Sequence, residues 1–310
     1  MLQNIHLFYS FLKTYLNSRM VQSCAGCCSS IFQMVAPTMI GLIVLNLWPF
    51  AQTIYTSFCE HEGFGRYSFI GFQNYIDMFQ NAEFWRATWN TILFCILTVP
   101  VGLFLSLLVA MLLNAKIKFK GGFRTIFFLP LVCAPAAVTM VWRFIFNGEY
   151  GILNQIFGSH IGWITDPRFV MISCAIVAIW SNIGYDAVLL LAGLQNIPKT
   201  LYEANSIDGA GPVRQFFTIT LPMVSPTLFV VMIMRLMSSV KVYDLIYMMV
   251  EETNPAVTSV QSLMYLFYRS SFVAGERGYG SAIVLWTVLL IGLVTVIQFY
   301  GQKKWVNYDV

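Results

Sequence analysis

The sequence predicts an all-α membrane protein with six transmembrane helices. Three observations carry that prediction. Of 310 residues, 58% are hydrophobic and only 10% are charged, whereas a soluble domain usually carries about 25% charged residues. Six apolar runs are each long enough to cross about 30 Å of hydrocarbon at about 1.5 Å rise per residue. Lys and Arg gather in alternate connecting segments, as cytoplasmic loops require.

The apolar runs cover approximately residues 31–57, 87–113, 125–146, 170–194, 222–250 and 280–300. Each must be helical, because lipid offers the backbone no hydrogen-bond partner. Pro100, Pro130, Pro135 and Pro226 fall inside these runs, so kinks are expected there. Residues 1–30 read as an uncleaved, partly amphipathic lead-in, residues 31–305 as the membrane domain and residues 306–310 as a tail.

Orientation follows from the basic residues. With the N-terminus inside, the inner segments hold Lys13, Arg19, Lys116, Lys118, Lys120, Arg124, Lys199, Arg214, Lys303 and Lys304. The outer segments hold Arg66, Arg86, Arg168, Arg269 and Arg277, with acids such as Glu60, Glu62, Asp77, Glu83, Glu251 and Glu252. Ten against five places both termini in the cytoplasm and makes residues 195–222 a cytoplasmic loop.

Several functions are disfavoured. The net charge of +4 is small and no dense basic run exists, which argues against nucleic acid. No G-x-x-x-x-G-K-[ST], GxSxG or HExxH pattern occurs, so the chain shows no phosphate-cradling loop and no catalytic constellation. Cys24, Cys27 and Cys28 cluster without a fourth ligand nearby and read as reduced thiols rather than a metal site.

The loop itself reads as two short helices with a break. Pro198 can begin the first, and Thr200 with Glu203 has capping-box spacing. Gly209, Gly211 and Pro212 form a stop and turn. A second segment starts at Pro212 and carries Phe216, Phe217 and Ile219 toward Pro222. Such a segment also suits an ordinary loop lying at the lipid headgroups.

Its residue pattern is more specific. Glu203-Ala204-Asn205, then Gly209, then Ile219, then Leu221-Pro222 resembles the E-A-A, three residues, G, nine residues, I, one residue, L-P motif of membrane subunits of ATP-binding-cassette importers. Asn205 alone departs, standing where that motif has alanine. Asp208-Gly209-Ala210 resembles the carbohydrate-importer branch. "FIGFQNYIDMF", "NAEFWRATWNTILF", "FFLPLVCAPAAVTMVWRFIFNGEYGILN", "VKVYDLIYMM" and "GYGSAIVLW" extend the resemblance from Ile31 to Trp305. The family is that of binding-protein-dependent sugar permeases, similar to those for maltose, multiple sugars and glycerol phosphate.

That resemblance implies a type I ABC importer permease fold in a bacterial or archaeal plasma membrane. It implies a second permease subunit, two ATP-binding-cassette ATPases that hold ATP and Mg, and an extracellular or periplasmic substrate-binding protein. No cofactor or metal is expected in this chain, and the chain is not expected to be an enzyme. The loop would be the ATPase-coupling element. Glu203 would pair with a basic residue of the ATPase, Ala204 would allow close approach, and Asp208 would cap or brace the turn. Gly209 would permit the turn, with Ala210 and Arg214 beside it. Phe216, Phe217 and Ile219 would anchor the loop to the permease core, and Pro222 would close the coupling element. The loop at Glu252, Thr253 and Asn254 departs from the usual glycine-rich turn, which implies a more acidic and stiffer face toward the binding protein.

Ionisable residues within hydrocarbon cost roughly 2.5–3.5 kcal/mol on insertion scales, so each marks a candidate site. Asp186 lies in the fourth run near Trp180, Ser181, Asn182 and Tyr185. Arg235 lies in the fifth, with Ser238, Ser239 and Val242 on its face at i+3, i+4 and i+7. Asp186 and Arg235 either line a pathway or pair with each other or with a partner subunit. Lys241 and Asp244 are three apart and able to pair along a helix. Trp180, Tyr185, Tyr243 and Tyr247 could offer aromatic faces to a sugar. The competing mechanism is an ion-coupled secondary carrier that uses Asp186 and Asp244 as proton sites, although no internal repeat is evident.

Overall fold

The computed structural model describes residues 35–63, 66–115 and 119–306. The expected lead-in with its Cys24, Cys27 and Cys28 cluster lies outside the described residues, as does the tail beyond Val306. The chain divides into two compact units, Met1–Tyr55 and Thr56–Val310.

Helix α1, Val35–Ser57, begins in the first unit and ends in the second. It contains a widened turn at Ile43–Leu47, where the Trp48 N–H reaches back to Ile43 O. Pro49 follows immediately. Proline has no N–H and its ring crowds the carbonyl four residues back, so a wider turn relieves the clash.

In the second unit a small hairpin comes first, β1 (Cys59–Gly63) against β2 (Arg66–Phe69), antiparallel with Cys59 opposite Phe69. The sequence reading contains no strand here. The hairpin is too short and too polar to alternate visibly. Helix α2, Gln73–Gln80, supplies buried Asn74, whose Nδ2 donates to Ser57 O and Cys59 O at 2.9 Å each.

Helix α3, Ala82–Asn114, is N-capped by Asn81, which accepts from the Glu83 N–H at 2.8 Å. Pro100 sits inside it without ending it. Thr88, Thr91 and Thr98 return their hydroxyls to carbonyls one turn back, which satisfies them in apolar surroundings.

The third apolar run departs from expectation. It is two helices, α4 (Lys120–Val132) and α5 (Pro135–Ile145), bent by 100°. The sequence suggested a kink within one span. Pro135 forces the preceding Ala134 out of helical geometry, to ψ 132, and then starts a new helix at its first position. Helix α6 (Ile152–Phe157) follows, and then α7 (Val170–Gln195) packs along α3.

Helix α8, Lys199–Ile207, leads into α9, Pro212–Val240. A second widened turn, Phe216–Thr220, likewise ends two residues before a proline, here Pro222. The fifth run also departs from expectation. It was expected to continue to residue 250, but α9 stops at Val240 and a separate α10 covers Asp244–Met249. Ser262 Oγ donates to Val242 O at 2.6 Å and so satisfies a carbonyl freed by the break. A single turn at Pro255–Ser259, then α11 (Leu263–Tyr268) and α12 (Arg277–Gln302), complete the described chain.

Among the described residues five helices are long and apolar enough to cross a membrane, and the bent α4–α5 pair makes six if it crosses as one span. Two glycines set helix distances. A Cβ on Gly184 of α7 would lie 1.9 Å from Phe127 O of α4, and one on Gly278 of α12 would lie 1.9 Å from Cys59 O. Only glycine allows approaches this close.

Candidate functional site

Two features hold nearly all the candidate residues. The first is a cavity of about 370 Å³ walled by α3, α4, α5, α7, α9 and the start of α10. Both helix breaks open onto it, through Cys133 and Pro135 on one side and Lys241, Val242 and Tyr243 on another. Irregular backbone at membrane depth is tolerated where it lines a cavity.

Asp186 and Arg235 meet there. Arg235 Nε donates to Asp186 Oδ1 at 2.7 Å. Asp186 is 1% exposed and Arg235 13%. Of the alternatives for this pair, the pairing with each other forms, and both side chains line the cavity. Arg235 Cζ also sits 5.8 Å from the Tyr185 ring centre, within cation–π reach. Ser238, Ser239 and Val242 line the same cavity, as their helical spacing from Arg235 predicts. Ser239 Oγ and Thr98 Oγ1 are hydrogen-bonded at 3.0 Å.

Lys241 and Asp244 both line the cavity, but they do not form the helical pair that their spacing suggests. Among the described residues the ion pairs are Arg143–Glu251, Arg235–Asp186 and Arg269–Glu83. The three-residue spacing is not helical here, because α9 has already ended. Tyr243 lines the cavity, whereas Trp180, Tyr185 and Tyr247 are not among its lining residues. Trp180 packs edge-on against Trp142 at 5.5 Å.

Tyr243 belongs to a tyrosine cluster that the sequence reading only half found. Its ring lies 5.4 Å from Tyr247 and 4.8 Å from Tyr268, and Tyr268 stacks on Phe272 at 5.6 Å. Tyr268 is remote from Tyr243 in sequence, so spacing alone offered no signal for the contact. Glu251, next to the loop residues Glu252, Thr253 and Asn254, is paired with Arg143.

The second feature is the 195–222 loop. The expected capping box does not form: α8 starts one residue after Pro198, so Thr200 already lies inside it. The helix closes with Gly209 in the left-handed region at φ 74. The Gly209 N–H bonds to Ser206 O and the Ala210 N–H to Asn205 O, each at 3.1 Å, which is the Schellman pattern. Asp208 occupies the helix end, but its carboxylate accepts no hydrogen bond among the described residues. Its expected bracing role therefore falls to other residues.

Those residues are Asn205 and Gln215. Asn205 Nδ2 donates to Thr218 Oγ1 at 3.1 Å, and Gln215 Nε2 donates to Ser206 Oγ at 2.9 Å. Tyr202 Oη and Thr220 Oγ1 bond at 3.0 Å. Ile219 is buried and Phe216 packs beside it against α3 and α7 residues, with Pro222 half-buried in the next turn. Phe217 does not join them: it is 62% exposed. Its ring sits edge-on to that of Phe216 at 5.0 Å, on the outer side. Glu203, Ala204 and Arg214 are exposed. So are Ile207 at 87% and Val213 at 73%.

Comparison with known proteins now decides the family. The model of the binding-protein-dependent transport system inner membrane component matches residues 75–306. The chain belongs to that family. Its relatives include the sulfoquinovosyl glycerol transport system permease protein SmoG of Agrobacterium fabrum, 34% identical over 272 residues that cover 85% of this chain and 87% of that one. The trehalose/maltose transport system permease protein MalF of Thermococcus litoralis is 31% identical and covers 86% and 91%. The sn-glycerol-3-phosphate transport system permease protein UgpA of Pectobacterium atrosepticum is 32% identical and covers 90% and 95%. The fold matches that in a bacterial alginate ABC transporter in complex with alginate pentasaccharide-bound periplasmic protein, with a TM-score of 0.79 at 21% identity, covering 90% and 96%.

As an inner membrane component of this family, the chain has the ABC importer permease fold that the loop motif implied. The matched region contains the whole cavity and the whole loop. It begins after α1 and the hairpin.

Proposed function

We propose that the chain is a transmembrane permease subunit of an ATP-driven importer for a sugar or oligosaccharide. In this reading it forms the pathway with a second, homologous permease subunit. Two ATPase subunits dock from the cytoplasm, and an external binding protein delivers cargo. ATP and Mg are held by the partner ATPases, and both termini face the cytoplasm.

One observation carries the reading. The Gly209 turn and the Asn205–Thr218 bond hold α8 across the start of α9, while Ile219 fixes that start to the core. The exposed residues of the loop then include Glu203, Ala204, Ile207 and Val213. An acid flanked by bare apolar side chains suits a protein partner. A rigid loop tied to α9 transmits ATPase closure to the cavity wall, because α9 also carries Arg235 and Ser239. Carbohydrate cargo is supported by the names of relatives, trehalose/maltose among them.

Anionic cargo of the glycerol-phosphate or acidic-sugar type is the second reading, supported by the names of SmoG and UgpA. An ion-coupled carrier is the third. The deciding experiment purifies Glu203→Lys and Gly209→Pro variants with the assembled transporter. Both are expected in the membrane without bound ATPase. Undiminished co-purification with both would refute the docking role, and uptake that survives ATPase inactivation but not an uncoupler would favour the carrier.

A further inference from the structure

A second cavity, of about 500 Å³, lies between β1, α2, the start of α3 and the start of α12. It shares no lining residue with the cavity at Arg235. Local sequence explains its walls. Asn74 and Asp77 stand three apart on α2 and so fall on one helix face. Strand β1 adds Glu60 and His61. After α11 the chain forms a widened turn, Arg269–Val273, which brings Arg269 and Ser270 to the cavity. Gly275, at φ 82, then reverses the chain, and the Glu276 N–H bonds to Ser270 O at 2.9 Å. The walls are tied together, because the Asn74 amide holds Ser57 O and Cys59 O.

The charge around this cavity is one-sided. Its charged and titratable lining residues are Glu60, Asp77, Glu83, Glu276, Arg269 and His61. Arg269 is paired with Glu83. Among the described residues the other three carboxylates enter no ion pair, and Arg66 and Arg277 do not line the cavity.

An independent observation also points to a ligand. Ser270 is 7% exposed and lines the cavity, yet among the described residues its hydroxyl has no hydrogen-bond partner. A buried polar group left so costs free energy that a ligand would recover. Asn74, also 7% exposed, spends its amide protons on backbone carbonyls, and its Oδ1 accepts from no described residue. The cavity therefore offers acceptors and negative charge. Among the described residues no three His, Cys, Asp or Glu side chains stand close enough to hold a metal ion. Acceptors spread in this way suit an ammonium or guanidinium group, which carries several N–H donors.

We infer that this cavity is a docking socket for a basic side chain, Arg or Lys, of the external binding protein, with Asp77 and Glu276 supplying charge and Asn74 and Ser270 accepting hydrogen bonds. This rests on the importer reading above, whose cytoplasmic termini put the cavity on the outer face, and it adds the chemistry of one contact.

The test uses the complete transporter in nanodiscs. External proteins of the source cells are fractionated for the one that stimulates its ATP hydrolysis, and that protein, once purified, is the probe. Its half-maximally stimulating concentration is the readout. Asp77→Asn with Glu276→Gln is expected to raise it about tenfold or more with the maximal rate retained, the size of a lost charge-assisted hydrogen bond. High salt should raise the wild-type value and leave that of the double variant nearly unchanged. Ser270→Ala, which keeps every charge, should raise it as well. A second measurement needs no variant: acetyl-argininamide should compete with the probe on the wild type, and the uncharged acetyl-citrullinamide should not.

A wild-type value in the double variant overturns the socket and leaves the importer reading standing, as does no greater competition by the charged amide than by the neutral one. An unchanged value in Ser270→Ala overturns the role of its hydroxyl. Stimulation by acetyl-argininamide or potassium with no protein added makes this a free-cation site and overturns the partner. If no external protein stimulates hydrolysis, the importer reading falls and the socket with it.

Discussion

Asn205 donates its side-chain amide to Thr218 Oγ1 at 3.1 Å, tying the end of α8 to the start of α9. Alanine, the usual family residue at this position, has no donor to make that bond. Asn205→Ala removes one hydrogen bond at a half-exposed site and should loosen the loop by up to about 1 kcal/mol. Amide exchange across residues 199–220 should quicken while the ATPase stays bound. Loss of the ATPase instead would place Asn205 at the partner interface rather than in the brace.

The turn at Gly209 should tolerate asparagine better than alanine. Its φ of 74 costs an ordinary residue about 1–2 kcal/mol, and asparagine adopts that region more readily. Uptake should fall in Gly209→Ala and be largely kept in Gly209→Asn. Equal activity of the two would show that the turn geometry is not limiting.

Ile207→Asp and Val213→Asp should leave the subunit stable, within about 0.5 kcal/mol, because neither side chain is packed. Both should weaken ATPase binding in detergent. A fall in melting temperature with the ATPase retained would make these residues structural.

Gly184→Ala should destabilise the membrane domain, because the added methyl meets Phe127 O at 1.9 Å. Forcing α4 away from α7 should cost about 1–3 kcal/mol, seen as a lower melting temperature. An unchanged melting temperature would mean that the two helices separate freely.

The Arg143–Glu251 pair is largely solvent-exposed on its acidic side. Glu251→Gln should therefore change stability by less than about 1 kcal/mol, and less still at high salt. A larger, salt-independent loss would show that the loop depends on this contact.

Much of the architecture was legible because apolar length is a strong signal: α3, α7 and α12 fall close to the runs read from the sequence. The two breaks were not legible. Residues on both sides of Cys133–Ala134 are apolar, so composition runs through the bend unchanged, and Pro135 reads equally as a kink or as a helix start. Past the end of α9, the Val242 carbonyl is satisfied by a distant hydrogen bond from Ser262, which no local pattern shows. In the candidate site, Asp186 and Arg235 stood out because charge is rare in a span, and the loop stood out by motif. Tyr268 was missed because its partners Tyr243 and Tyr247 lie on the far side of a loop. Phe217 was misplaced because adjacent helical residues point about 100° apart, so it cannot share the buried face of Phe216.

The Asp186–Arg235 pair also bears on how the protein is made. Its members lie 49 residues apart, on α7 and α9. During synthesis α7 reaches the bilayer with its carboxylate alone, at a cost of roughly 2.5–3.5 kcal/mol. That cost is relieved only when α9 arrives with the matching guanidinium. The two helices therefore settle as a unit, and the polar loop between them must be completed before either is secure. The bond that orders the cavity in the finished protein thus sets a waiting step in its biogenesis.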